Sequence, residues 1–325
     1  MTSKNPIVAK SRTSILEVRN LVKKYGEFTA VNEVSFDIRE GEIFSLLGPN
    51  GAGKTTTISV LSTLFLPTSG EAVIGGHSVT KEPMTVRGLI GVVPQDLALY
   101  DDLTARENLL FWGQMYGLYG KALRTRIDEV LEQIGLSEKA KQRVKTYSGG
   151  MKRRVNIGVG LLHKPRLLFM DEPTVGIDPQ SRRLILDSVK ELNRQGMTVL
   201  YTTHYMEEAE ELSDRVGIID HGEMIALGTQ AELTRQVGEM ETLILHIGEN
   251  EDPERLASAV RSLEGVRKAD VTDHTVTVIV PEAEEALAPA VTKANELGMK
   301  IHSVDMREPN LEDVFLHMTG RALRD

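Results

Sequence analysis

Cysteine is absent from all 325 residues. Disulfides, thiolate zinc sites and cysteine nucleophiles are therefore excluded, and the composition fits a reducing compartment. Positive charge is in deficit, with 38 Lys and Arg against 47 Asp and Glu and a net charge of −9. A general nucleic-acid-binding surface is disfavoured on that balance, and no nucleic-acid partner is expected. Long apolar runs are missing too. Segments such as 155–162 and 167–170 fall well short of the ~20 residues that a membrane-spanning helix needs. The start, Met1-Thr2-Ser3-Lys4-Asn5-Pro6, lacks the apolar stretch of a secretory signal, so any role at a membrane would be borrowed from a partner. What remains is an ordinary globular composition, 41% hydrophobic and 26% charged, long enough for two domains.

Residues 1–13 are polar and basic without periodicity, and are expected to form a flexible tail. Ile15-Leu16-Glu17-Val18-Arg19-Asn20 and Val34-Ser35-Phe36-Asp37-Ile38 alternate as antiparallel strands with one polar face would. A helical stretch follows between Thr104 and Leu136. Apolar strands return at 167–170, 198–201 and 216–219, each separated by a helix, which implies a largely parallel sheet covered on both faces. The expected first domain spans 14–235, with a helical lobe over about 96–165. Residues 236–325 read strand, helix, strand, strand, helix, strand, the order of a ferredoxin-like split βαβ domain, with a last short helix at 311–318. The histidines of that region (His246, His274 and His302) are scattered and read as structural or surface residues. The fold class is α/β, with a mixed sheet core, an antiparallel β subdomain and a helical lobe.

Gly48-Pro49-Asn50-Gly51-Ala52-Gly53-Lys54-Thr55 matches G-x-x-x-x-G-K-[ST], the loop that cradles phosphates. It follows the mostly apolar Glu42-Ile43-Phe44-Ser45-Leu46-Leu47, and Thr56 continues it into a helix. Glycines let the backbone curl its N–H groups toward a polyphosphate, and the helix N-terminus adds a favourable dipole. Lys54 would reach the β- and γ-phosphates, and the Thr55 hydroxyl would hold Mg²⁺. A glycine-rich turn that binds nothing would not need the strand before it and the helix after it. ATP or GTP binding follows.

Leu167-Leu168-Phe169-Met170-Asp171-Glu172 is a buried strand ending in two carboxylates. Asp171 is suited to the Mg²⁺ shell, and Glu172 to accepting a proton from, or orienting, the attacking water. Upstream, Tyr147-Ser148-Gly149-Gly150-Met151 leads into a helix-compatible run, a second loop that can donate N–H groups to a phosphate. A single chain has no evident use for two such cradles on one nucleotide; two chains arranged head to tail would.

Over residues 14–235 the sequence resembles the ATP-binding-cassette family. The resemblance rests on Walker A at residues 48–55, the Q-loop Pro94-Gln95, the signature Ser148-Gly149-Gly150-Met151 and Walker B at 168–172. It extends to the D-loop Gly176-Ile177-Asp178-Pro179 and the switch histidine of Thr202-Thr203-His204. Tyr25, in Lys23-Lys24-Tyr25-Gly26, falls where the family stacks an aromatic ring on adenine. Met151 departs from the family's commonest signature, which has Gln there; the phosphate contacts come from the serine and the glycine N–H groups, so binding should survive. Ser148 to Arg154 and the tail Glu308 to Arg321 are similar to one branch, the daunorubicin-resistance and ABC-2-type exporters.

The resemblance implies a dimer of cassettes with two ATP sandwiched between Walker A of one chain and the signature of the other. Ser148, Gly149 and Gly150 would then contact the partner's nucleotide. Glu172 would be the general base, His204 would contact the γ-phosphate, Gln95 would complete the Mg²⁺ and water shell, and Asp178 would order the dimer interface. The implied protein is the ATPase subunit of a drug or natural-product exporter, bound to a separate membrane permease at the cytoplasmic face, with residues 96–112 as the permease contact. Phe111 and Trp112 also read as core of the helical lobe. An importer or ion exporter remains open. Non-transport cassette proteins fit less well, because the chain has one P-loop, one signature and no coiled-coil insertion.

Overall fold

The computed structural model describes residues 13–237, 241–248, 251–307 and 310–319. The expected tail, 1–13, lies outside the described residues apart from Thr13. The chain divides into two compact units that meet in sequence between Thr229 and Gln230.

The first unit opens with a hairpin, β1 (Ser14–Tyr25) and β2 (Phe28–Arg39), whose alternating residues bury one face and leave the other polar. β3 (Ile43–Leu47) is buried throughout and feeds α1 (Lys54–Leu61). β4 (Ser69–Ile74) and β5 (His77–Ser78) complete an antiparallel sheet in the order β2-β1-β4-β5. Then follow α2 (Pro83–Leu89), β6 (Ile90–Val93) and the helical lobe of α3 (Ala105–Met115), α4 (Gly120–Gln133) and α5 (Gly149–Leu161). A capping box starts α3: Thr104 accepts from the Glu107 N–H while Glu107 accepts from that of Thr104.

The chain returns through β7 (Leu167–Asp171), α6 (Pro179–Arg194), β8 (Thr198–Thr203), α7 (Met206–Leu212), β9 (Arg215–Asp220) and β10 (Glu223–Gly228). These strands join β3 and β6 in one sheet of order β10-β9-β3-β8-β7-β6. All neighbouring pairs in it are parallel except β10 with β9. α6 shows why such a segment becomes a covering helix: Ile185, Leu186, Val189 and Leu192 recur on one face and all are buried. Each such side chain contributes about 1.5–3 kcal/mol when removed from water. Glycines set the spacing between sheet and lobe. A Cβ on Gly91 of β6 would lie 2.2 Å from the Gly160 carbonyl oxygen of α5, so the strand and helix backbones touch directly.

The second unit begins with α8 (Gln230–Val237), ahead of the expected break after residue 235, because α8 packs against α11 (Leu311–Thr319). Between them come β11 (Glu241–Ile247), α9 (Pro253–Val260), β12 (Lys268–Thr272), β13 (Thr275–Val280), α10 (Ala283–Glu296) and β14 (Ile301–Arg307). The sheet is antiparallel in the order β12-β13-β11-β14, the split βαβ topology, with its own core around Leu243, Leu245, Val276 and Val278.

Candidate active site

Because β3, β8, β7 and β6 run parallel, the loops leaving them emerge on one edge of the sheet. Residues 48–53 follow β3, His204 follows β8, Glu172 follows β7, and Pro94 and Gln95 follow β6. Segments more than a hundred residues apart are thus brought to the edge where open α/β sheets bind ligands.

Gly51 and Gly53 take φ of 81° and 105°, backbone that residues with side chains rarely adopt. The turn is also packed from behind. A Cβ on Gly48 would lie 2.1 Å from the Ile219 carbonyl oxygen, and one on Gly53 would lie 2.5 Å from that of Ala30. No side chain caps α1, which leaves its first N–H groups for an anion.

The Lys54 ammonium donates to the carbonyl oxygens of Gly48 at 2.6 Å and Pro49 at 2.9 Å. Its Nζ is also 2.9 Å from Glu172 Oε1, and both side chains are under 10% exposed, at 3% and 7%. Glu172 sits in the left-handed region, φ 42°, held by its N–H donating to the Thr202 carbonyl and hydroxyl oxygens. His204 Nδ1 stands 3.4 Å from Glu172 Oε2 without forming a hydrogen bond. Asp171 accepts from the Thr202 hydroxyl at 2.7 Å. Burial raises the Asp171 carboxyl above the ordinary carboxylate range, opposed by hydrogen bonds from Thr202 and Thr55 and by the Lys54 charge.

In front of these groups lies a cavity of about 280 Å³ lined by Phe28, Ala30, Asn50, Gly51, Gly53, Lys54, Thr55, Thr56, Gln95 and Glu172. Gly48, Pro49 and Ala52 do not line it. They build its wall: the first two hold Lys54, and Ala52 is buried with its carbonyl accepting from Gly222. Tyr25 is not among the lining residues. It packs edge-on against Phe65 at 6.2 Å, under the Lys23 ammonium, while its cross-strand partner Phe28 faces the cavity. Both sit at the hairpin tip.

The oxygens of Thr55, Asp171 and Gln95 are the hard donors that Mg²⁺ takes, together with phosphate oxygens. Among the described residues there is no cluster of three His, Cys, Asp or Glu that could hold a metal ion. Gln95 is held from behind by the lobe. Arg153 and Asn156 of α5 both donate to the Pro94 carbonyl, at 2.9 and 3.3 Å. Trp112 donates to the Ala98 carbonyl at 2.9 Å, so this residue braces the loop from a partly buried position, and Phe111 packs on it and on Tyr100.

The signature residues lie elsewhere. Ser148 caps α5, accepting from the Met151 N–H, and none of Ser148, Gly149, Gly150 or Met151 lines the cavity. A Cβ on Gly150 would lie 2.2 Å from Ser181 Oγ in the first turn of α6. Asp178 caps that same helix by accepting from the Ser181 N–H at 2.9 Å, which holds its carboxyl below the usual range. The second glycine loop and Asp178 therefore form one corner, apart from the phosphate loop of their own chain.

A family model for the ABC transporter matches residues 31–175. The linearmycin resistance ATP-binding protein LnrL of Bacillus subtilis (strain 168) is 49% identical over 315 residues, 96% of this chain and 100% of that protein. The chain belongs to the ABC transporter family, as an ATP-binding subunit. The daunorubicin/doxorubicin resistance protein DrrA of Streptomyces peucetius is 38% identical, across 96% of this ABC ATPase and 94% of its own length. The Nod factor export ATP-binding protein I of Ralstonia nicotianae is 38% identical, across 96% of each. Among solved structures, an ATP-binding subunit of an ABC transporter superposes with a TM-score of 0.62 at 32% identity, covering 69% of this chain and 93% of that one. A dimeric post-hydrolysis state of the cassette MJ0796 bound to ADP and Pi superposes at 0.60 with 30% identity, covering 66% and 98%. The protein is accordingly an ATP-hydrolysing transporter subunit of the drug-exporter branch, with the α/β cassette fold and a nucleotide ligand.

Proposed function

We propose that this ABC ATPase powers efflux of a drug or natural product through a separately encoded membrane permease, working at the cytoplasmic face as a head-to-tail dimer. The observation that carries the reading is the split site: the cavity beside Lys54 holds one glycine loop, and the other stands apart at the Ser148 and Asp178 corner. A second copy would bring its Ser148, Gly149 and Gly150 over the nucleotide of the first. Lys54 and the N–H groups of residues 50–56 bind the phosphates, with Phe28 and Tyr25 at the adenine end. Thr55, Asp171 and Gln95 would hold Mg²⁺, whose positive charge would draw electron density from the γ-phosphate.

Glu172 takes the proton of the attacking water, and His204 stabilises charge that grows on the γ-phosphate oxygens. Asp178 orders the interface, and the second unit helps hold the pair together. Among the described residues no helix is long and apolar enough to cross a membrane, in keeping with a permease on another chain. The names of the relatives place linearmycin, daunorubicin or doxorubicin, and Nod factor resistance or export in this branch, which supports an organic cargo. Affinity purification of tagged Glu172→Gln with Mg-ATP from detergent-solubilised native membranes tests this. A multi-span permease recovered in stoichiometric amount is expected; recovery of only ribosomal or DNA-associated proteins would overturn it.

A further inference from the structure

Glu208 of α7 is 2% exposed, yet no step of hydrolysis described above uses it. A buried carboxylate is costly unless its oxygens are satisfied. Here three hydroxyls donate to it: Thr174 at 2.6 Å, Thr203 at 2.8 Å and Tyr201 at 2.9 Å. The Arg182 guanidinium adds an ion pair at 3.6 Å. The donors come from three functional segments. Thr174 lies between Glu172 and Asp178, Tyr201 and Thr203 end the strand that delivers His204, and Arg182 is in the first turn of the helix that Asp178 caps.

Thr203 makes the connection to His204 specific. Its hydroxyl donates to Glu208 and accepts from the Tyr205 N–H at 3.0 Å, so it brackets His204 on both sides. The His204 ring has no hydrogen bond at Nδ1 to fix it directly. Beside it stand the Glu172 carboxylate, 3.4 Å from Nδ1, and the Tyr205 ring, 4.2 Å away, over which Arg182 lies at 4.2 Å.

We propose that Glu208 is a positioning residue for hydrolysis, fastening the His204 loop to the segment after Glu172 and to the helix behind Asp178. The proposal rests on the reading of Glu172 and His204 as the groups that act on water and γ-phosphate. Through Arg182 the same carboxylate makes the place of His204 depend on the interface corner, so closure of a second copy on Asp178 is felt at the γ-phosphate. Glu208 does not line the cavity beside Lys54. Thr174, Tyr201 and Thr203 all lose a shared anionic acceptor when it is neutralised.

The test is steady-state ATPase kinetics of the purified full chain, with thermal melting and ATP affinity measured alongside. Glu208→Gln keeps the shape but exchanges one acceptor oxygen for a donor. It is expected to lower kcat by about tenfold or more, as small displacements of a catalytic group do, with KM and ATP affinity within about twofold. Thr203→Val should reproduce that loss and Thr203→Ser should restore it. Added to His204→Ala, under single-turnover conditions, Glu208→Gln should cause no further loss. If the two losses multiply, or if kcat holds and only the melting temperature falls, Glu208 is a structural plug and the proposal is overturned. If His204→Ala alone leaves kcat intact, the reading of His204 fails and the proposal falls with it. Should Glu208→Gln not fold, Thr174→Val removes one donor and must show the same kcat-only loss.

Discussion

Lys54 has partners within the chain for all of its donors. An ammonium has three N–H donors, and here they face the carbonyl oxygens of Gly48 and Pro49 and the Glu172 carboxylate. To grip a phosphate it must give up at least one partner, and Glu172 is the one that also repels the incoming anion. Glu172→Gln should therefore tighten ATP binding in the ground state, quite apart from blocking turnover. At 2.9 Å the gross Coulomb attraction is about 6 kcal/mol at an effective dielectric of about 20, but desolvation cancels much of it. Charged hydrogen bonds contribute about 1.5–3 kcal/mol net, and each ~1.4 kcal/mol is tenfold in affinity. The expected gain is thus about ten- to a hundredfold. Calorimetric titration of ATP into each protein in excess chelator measures it, since hydrolysis needs the cation. Equal affinities in chelator, with tightening only when Mg²⁺ is restored, would refute the argument and leave blocked turnover as the sole cause.

Stability should fall in mild acid through His163, whose Nε2 donates to the Ile90 carbonyl at 2.7 Å while Nδ1 is buried without a partner. Burial lowers its pKa from 6.5, with Arg126 adding to the effect and the Ile90 carbonyl opposing it. The unfolded chain then binds the proton more readily, so the stabilisation is complete above about pH 6.5 and is lost as pH falls toward the folded value. His163→Gln should show a smaller drop in melting temperature between pH 7.5 and 5.5 than the parent; an equal drop places the acid sensitivity elsewhere. Gly150→Ala drives a methyl to 2.2 Å from Ser181 Oγ and 2.3 Å from its Cβ, which should destabilise by about 1–3 kcal/mol as overpacking does. Adding Ser181→Gly removes both atoms and should restore the denaturation midpoint; no recovery would mean that the loop, not the contact, requires glycine.

The elements were readable where local chemistry is strong. β3 and β7 are mostly apolar, fully buried runs, α6 carries its apolar face at helical spacing, and β11 and β13 of the second unit alternate. The sequence pattern breaks after residue 235, whereas by contacts the second unit starts at Gln230, with α8. Only its packing against α11, far along the chain, assigns it to the second unit. In the hairpin Tyr25 and Phe28 are paired across the turn, and Phe28 lines the cavity.

By itself the sequence determined the phosphate loop, the paired carboxylates and the second glycine loop. Each is a short contiguous string whose chemistry is set by glycine torsions, helix N-termini and a strand end. It did not contain the Lys54–Glu172 pair, the bracing of Gln95 by Arg153, or the convergence of Thr174, Tyr201, Thr203 and Arg182 on Glu208. Those arise because parallel strands deliver remote loops to one edge, where a buried charge must find donors among whatever neighbours the sheet provides. Which residues meet there is a property of strand order and register, and only the tertiary structure decided it.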